Sequence, residues 1–568
     1  MPCKRIFLIL ACFVLASLSG FELWCRFIYG PLTQSAKEAQ DKYIYEDIHK
    51  RLFLKKRAAD GSFVYQARQR HQLGDLSFPA HKKEGTKRIF VIGGSVVQDV
   101  RGDALLFSQA LELSIPGQKF EVICCGLGAY DSYRDSLVQK EVLAYEPDLI
   151  ILMSGNNEFL PPVKVNLLFF RVNALLLHLR SYRFMAGLIR GHIGRPAVSP
   201  QARLLNFEKN IETMAARAKK AGVPMALCTL PADLRDTPPL INEPPWEEKL
   251  FFAGWFAFDN ADYSSAARYL QAFCADKPQD AHGHYLLARC YEARREYQKA
   301  REYYVKAVEL DMPDGRRMTA SRNELIRTIC YRRDLILVDL EKLFMGLSSH
   351  GLIDSRYLRD HCHWWVEYNG LVLQEIVSRV HAYDKNHTQP VFSAAWDEKN
   401  LYWLQSRPLT EEGGRGRGFL KAIIAFSLIY NYHSESSFNE PAAAYLDQAR
   451  QFDASIFDDR QWLKTEFFKR LQSNWWMRDS AGSLDTFWPD YLAHVGESLR
   501  RQGLYRESLG YFDQACTLQP GLWSARLGRA VAQYNLGRTE EAQGELASIE
   551  KQFPGVPLIK AYRRKFER

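Results

Sequence analysis

Four short blocks of this chain carry side chains suited to acyl transfer. They are Gly93-Gly94-Ser95, Cys124-Cys125-Gly126-Leu127-Gly128-Ala129, Gly155-Asn156-Asn157-Glu158 and Asp360-His361-Cys362-His363. Ser95 offers a hydroxyl, which is a poor nucleophile until a base removes its proton. His363 is the candidate base and Asp360 its orienter. An imidazole in that role presents one nitrogen to the serine and donates from the other to a carboxylate, and three residues within one turn can bring the pair together. His361 adjoins Asp360 and points elsewhere in a turn or helix. The tetrahedral intermediate also needs donors aimed at its oxyanion. Backbone N–H groups and an asparagine amide in the second and third blocks can supply them. Cys362 between two histidines invites a metal reading, but adjacent side chains usually diverge, and no CxxC or HExxH motif accompanies them. We therefore expect no metal site.

Elements must bring these blocks together. Five mostly apolar runs do so at intervals: Arg88–Ile92, Phe120–Cys124, Pro147–Met153, Val223–Thr229 and Leu335–Val338. Separated by helical patterns, they predict a buried, doubly wound parallel sheet of α/β class. Ligands bind such sheets outside the carboxyl ends of the strands. The first three blocks stand at strand ends, and the fourth follows the last run by about twenty residues. Gly94-Ser95-Val96-Val97 lacks the second glycine of a G-x-S-x-G elbow, which argues against an ordinary α/β-hydrolase.

The ordered set resembles the SGNH (GDSL-like) hydrolase family over roughly residues 85–240 and 330–380. The resemblance implies an esterase-type fold with a Ser95–His363–Asp360 mechanism and no metal or organic cofactor. It draws oxyanion donors from the Ser95 amide, a second-block amide and a third-block asparagine. Gly155-x-Asn157-Glu158 matches the family's Gly-x-Asn-Asp/Glu and selects Asn157 over Asn156. In the second block, counting back from Ser132 puts the family's glycine at Ala129, with Gly128 one residue earlier, and both stay candidates. Cys124 stands where family members often carry asparagine. The family includes hydrolases and O-acyltransferases, so an ester substrate is implied, and the acceptor could be water or a sugar hydroxyl of an envelope polysaccharide. A non-catalytic assembly scaffold is the reading from a different class.

A long insertion between the fourth and fifth runs repeats itself. Gly254, Tyr263, Ala266, Leu270 and Phe273 recur 34 residues later as Ala288, Tyr297, Ala300, Tyr304 and Ala307. Near the C-terminus Gly496, Ser508, Phe512 and Ala515 recur at the same spacing as Ala530, Ala542, Leu546 and Ile549. Both resemble pairs of tetratricopeptide repeats, expected to bind a protein partner. Ala442-x3-Leu446-x2-Ala449 looks like half of another unit. The glycines and arginines of residues 413–418 read as a flexible loop or linker.

Lys4 and Arg5 precede an apolar run from Ile6 to Trp24, about long enough to cross a bilayer. The basic flank favours a cytoplasmic N-terminal end, with the main domains extracytoplasmic and periplasmic in a Gram-negative bacterium. A cleaved signal peptide is the alternative. Between Glu158 and Glu208 the chain has no acidic residue, and its arginines and leucines read as a helical cover with a solvated basic face, with a basic amphipathic segment lying on an anionic membrane surface as the alternative. The whole is organised as an anchor or signal segment (1–29), a linker region (30–84), a sheet domain in two parts (85–246 and 315–385) split by the first repeat pair (247–314), a helical region (386–485) and the second repeat pair (486–568). A net charge of +9 over 568 residues makes no case for nucleic acid, and eleven scattered cysteines make none for a disulfide framework.

Overall fold

The computed structural model describes residues 17, 19–26, 51–68, 73–158, 179, 181–182, 199–240, 244–311, 316–392, 395–406, 413–431, 439–458, 460–473 and 482–566. They divide between two compact units, one of residues 1–52 and 161–206, the other of 53–160 and 207–568. In the first, Glu22 accepts hydrogen bonds from Ser181 N (2.8 Å) and Oγ (2.7 Å) and pairs with Arg26. Most of the expected anchor, and most of the basic stretch before Glu208, lie outside the described residues. Among the described residues no helix is long and apolar enough to cross a membrane.

The second unit is built on a five-stranded parallel sheet: β4 (Thr86–Gly93), β5 (Lys119–Gly126), β6 (Leu149–Met153), β7 (Met225–Thr229) and β8 (Ile336–Asp339), in the order β5-β4-β6-β7-β8. The five apolar runs form these five strands. All of β6 and β7 is buried, as expected for strands covered on both faces. The chain order across the sheet is 2-1-3-4-5, so the direction of winding reverses between β4 and β6. Connections leave that point on opposite faces and open a crevice at the carboxyl ends of those two strands. Ser95 follows β4 directly, and the asparagines follow β6.

The stretch expected to be a linker carries structure. Strands β1 (Phe53–Arg57), β2 (Phe63–Ala67) and β3 (Ser77–Pro79) form an antiparallel meander. Its polar composition hides a few large rings. Phe53 and Phe78 are buried and meet edge to face at 5.0 Å, and Phe78 packs on Phe90 of β4 and on Tyr145. That aromatic cluster fastens the meander to the sheet.

Helical pairs fill the insertion (Lys249–Asp259 with Tyr263–Asp276, Ala281–Ala293 with Tyr297–Leu310) and the C-terminus (Leu484–Arg501 with Tyr505–Leu518, Trp523–Asn535 with Thr539–Gln552, then Pro557–Phe566). Their small and large repeat positions, Ala266, Leu270 and Phe273 in one and Phe512, Ala515 and Ala542 in the other, are buried between helices. The two pairs meet: the last helix sets Tyr562 edge-on against Trp255 at 5.5 Å and Lys565 on Asp259 at 2.6 Å.

The glycine-arginine segment is not a loop. Residues from Gly414 onward begin the helix Gly414–Asn431. A Cβ on Gly414 would lie 2.8 Å from the Phe452 carbonyl oxygen, and one on Gly418 would lie 2.9 Å from that of Ala449. The glycines let this helix lie backbone to backbone on its neighbour Glu440–Phe452. The arginines between them cover aromatic faces, Arg415 over Trp462 at 4.3 Å and Arg417 over Trp365 at 4.9 Å.

Candidate active site

Ser95 opens the short helix Ser95–Val100 immediately after β4. As the first helical residue its N–H has no partner within the helix. Gly94 is squeezed between the other strand ends. A methyl there would stand 2.9 Å from Asn157 Nδ2 and 3.2 Å from the Tyr130 carbonyl oxygen. Only glycine lets the second and third blocks close on the peptide that leads to Ser95.

The fourth block is the tip of a tight hairpin. Leu358 and Trp364 form an antiparallel bridge, and Arg359 N donates to His363 O at 2.8 Å. Within the tip, Asp360 Oδ1 accepts from the backbone N–H of Cys362 (2.9 Å) and of His363 (2.8 Å). These bonds turn the carboxylate inward to His363 Nδ1, 2.9 and 2.8 Å from its two oxygens. His363 Nε2 lies 2.6 Å from Ser95 Oγ. With the Nδ1 proton directed at Asp360, Nε2 is left to accept from the serine hydroxyl. Residues 268 positions apart thus meet in one hydrogen-bonded line.

The charges reinforce the line. Burial alone would raise the Asp360 carboxyl, but His363 beside it, with His361 and Arg359, holds it well below the usual carboxylate range. Burial would lower the His363 imidazole, but the Asp360 charge outweighs that and pushes it well above its ordinary value. Cys362 does not diverge from its neighbour as expected: its Sγ lies 3.4 Å from His363 Nδ1 because the hairpin tip curls both side chains inward. Burial raises this thiol, and His363 and His361 more than offset the rise. Ligand atoms of Asp360, Cys362 and His363 lie within 4.8 Å of one another and could hold a metal ion. Both ring nitrogens of His363 are already committed, to Asp360 and to Ser95.

Of the asparagines, Asn157 reaches the site. One of its amide hydrogens goes to Tyr130 O at 3.0 Å. Asn156 is buried, with neither of its side-chain polar atoms paired. In the second block Tyr130 N donates to Leu127 O, closing a turn over Gly128 and Ala129. The residue at positive φ in this turn is Ala129 (60°), not Gly128. A left-handed third turn position normally takes glycine, and here alanine occupies it. Glu158 accepts from Ser132 N and Oγ, both at 2.8 Å, and ties the third block to the helix Ser132–Val142. Burial first, then the Asp131 charge, raises this carboxyl to about 7.

Two further groups carry no motif in the sequence. Asp233, in the loop after β7, donates its N–H to the His361 carbonyl at 3.1 Å. Lys421, fully buried, donates to the Leu358 carbonyl at 3.1 Å. A lone lysine inside the apolar run Phe419–Tyr430 is the signal that could have drawn notice.

The tetratricopeptide-repeat family model matches residues 253–314 and 496–557, and both helical pairs are such repeats. No curated protein matches the chain. Among solved structures the chain is similar to an acetyl xylan esterase (15% identity, 51% of this chain and 98% of that one, TM-score 0.26). It is also similar to a GDSL-like lipase from Bacteroides thetaiotaomicron VPI-5482 (13%, 55% and 93%, TM-score 0.27). It is also similar to the tetratricopeptide-repeat domain of P58(IPK) (10%, 56% and 97%, TM-score 0.15). Likeness at this level carries no argument about the chemistry.

Proposed function

We propose that this chain is an SGNH-type serine ester hydrolase. The observation that carries the reading is the line from Ser95 Oγ through His363 to Asp360, at 2.6 and 2.8 Å. Ser95 attacks an ester carbonyl while His363 takes its proton, and Asp360 stabilises the imidazolium that forms. The oxyanion is met by the Ser95 N–H, the Asn157 amide hydrogen not used by Tyr130, and the N–H of Gly128 or Ala129. His363 then protonates the leaving alcohol, and water attacks the acyl-enzyme to release the acid and free Ser95. The closing of the second and third blocks on Gly94, beside Ser95, supports this reading.

The repeats support binding of a protein partner. The basic flank and apolar run at Lys4–Trp24 support a membrane-anchored protein with its main domains outside the cytoplasm. Protease added to intact spheroplasts would then digest the large domain, and full protection would reverse that topology. For the chemistry, the full chain should hydrolyse a short activated ester. Ser95→Ala should cut turnover on the order of 10⁴-fold or more. Turnover in Ser95→Ala equal to that of the parent would remove this serine from the reaction.

A further inference from the structure

The hairpin bearing Asp360 and His363 is gripped from behind by a part of the chain that the catalytic motifs do not include. Lys421, on the helix Gly414–Asn431, is wholly buried and donates to two acceptors. One is the carbonyl of Leu358, two residues before Asp360, at 3.1 Å; the other is Gln448 Oε1, at 2.6 Å. Gln448 belongs to the neighbouring helix Glu440–Phe452, and its Nε2 donates to the Asp236 carbonyl at 2.9 Å. Asp236 lies in the loop after β7, the loop whose Asp233 N–H holds the His361 carbonyl. A closed ring of contacts therefore runs from the hairpin to one helix, to a second helix, to the sheet loop and back to the hairpin. Arg417, one turn before Lys421, pairs with Glu367 and lies over Trp365, just past the hairpin. Trp365 also meets Phe452 edge-on at 5.6 Å.

We infer that Lys421 is a positioning residue for the candidate triad: through Leu358 and Gln448 its ammonium sets where the Asp360–His363 hairpin stands relative to Ser95. This deepens the Ser-His-Asp reading and rests on it. A buried ammonium with two neutral acceptors is costly unless anions face it. Four carboxyl groups act on it: Asp233 and Asp236 from the sheet loop, and Asp354 and Asp360 from the hairpin and its approach. Tyr445 offers a ring face at 5.1 Å from the helix behind. Burial lowers the Lys421 ammonium to about 8, with the carboxylates opposing that fall. Its positive charge favours ionised Asp360 and disfavours a proton on His363, whose other facing groups are Cys362 and Ser95. The helical region is thereby part of how the base is held, so a load on the helices has a direct route to the hairpin.

The test compares the full chain with Lys421→Met, which keeps the volume and removes the charge. Two readouts are taken: kcat and KM on a short activated ester, and the His363 titration midpoint. The midpoint is followed by ¹³Cε1-histidine NMR, assigned with His363→Gln, and needs no turnover. The inference expects kcat to fall about 10-fold or more with KM within about twofold. It also expects the His363 midpoint to rise by about half a pH unit, because a nearby cation has gone. A purely structural lysine would lower the melting temperature and leave the midpoint where it was. If Lys421→Met fails to fold, Gln448→Leu, which takes one partner from the ammonium and leaves its charge in place, should lower kcat in the same direction by less, with KM again within about twofold. A folded variant with kcat and midpoint unchanged overturns the inference. A midpoint that shifts in a protein with no ester turnover would instead count against the hydrolase reading and leave the positioning role standing.

Discussion

The nucleophile side and the base side of this site are held by different means. Ser95 and Asn157 follow adjacent buried strands, β4 and β6, and are fixed by backbone that the sheet already orders. Asn157 donates to a main-chain group, the Tyr130 carbonyl, and lies close against Gly94. Asp360 and His363 stand on a hairpin outside the sheet. That hairpin's position depends on groups from afar: the Lys421 side chain on Leu358 O, the Arg417 side chain at Trp365, and the main-chain N–H of Asp233 on His361 O. A strand end is placed by its own ladder, whereas a hairpin tip must be placed by whatever packs on it. The second arrangement is easier to perturb, and it ties the base to the helical region.

Three experiments separate the two sides, in order of expected effect. On the sheet side, Asn157→Ala removes an oxyanion donor without touching the triad. It should lower kcat about 10²–10³-fold with little change in folding. An unchanged rate would mean the amide does not face the oxyanion, and Asn156 would then need the same test.

On the hairpin side the signature is pH. His363 must be neutral to accept the Ser95 proton, and the Asp360 charge keeps it protonated to higher pH than an ordinary histidine. The rate of hydrolysis should therefore rise about tenfold per pH unit through neutrality and level off only above it. A plateau already reached below pH 6 would show that Asp360 does not act on His363 as the geometry indicates.

The smallest effect concerns Glu158, which couples the third block to the second. Its folded value near 7 lies above the ordinary carboxyl value. The protonated form therefore favours the folded state, and that contribution is lost as pH rises through about 7. The melting temperature should decline between about pH 4.5 and 7 and level off above that, and Glu158→Gln should flatten the decline. An identical decline in both proteins would assign it to other groups.

How much of this could be read from the sequence follows the same division. The five strands were legible because each is a short, nearly continuous apolar run ending at a chemical block. Ser95, Asp360 and His363 were legible because their spacing and order carry the chemistry. The meander at residues 53–79 was not, since two buried rings, Phe53 and Phe78, and not a periodic pattern, hold it to the sheet. The segment Gly413–Gly418 read as a linker because glycine usually marks a break. Here it permits two helices to touch, and only the neighbour's carbonyls reveal that. Lys421 lies about sixty residues beyond the hairpin it supports, and no local spacing could link them. Ala129 at positive φ shows that this turn holds a left-handed position without glycine.

The central claim is that Ser95 is an activated nucleophile. The most direct measurement is covalent labelling of the full chain with a fluorophosphonate, followed by peptide mapping. The account predicts one phosphonyl group per chain on the peptide containing Ser95, with labelling abolished by Ser95→Ala and strongly slowed by His363→Ala. A folded protein that takes up no label, or takes it up at another residue, would contradict it.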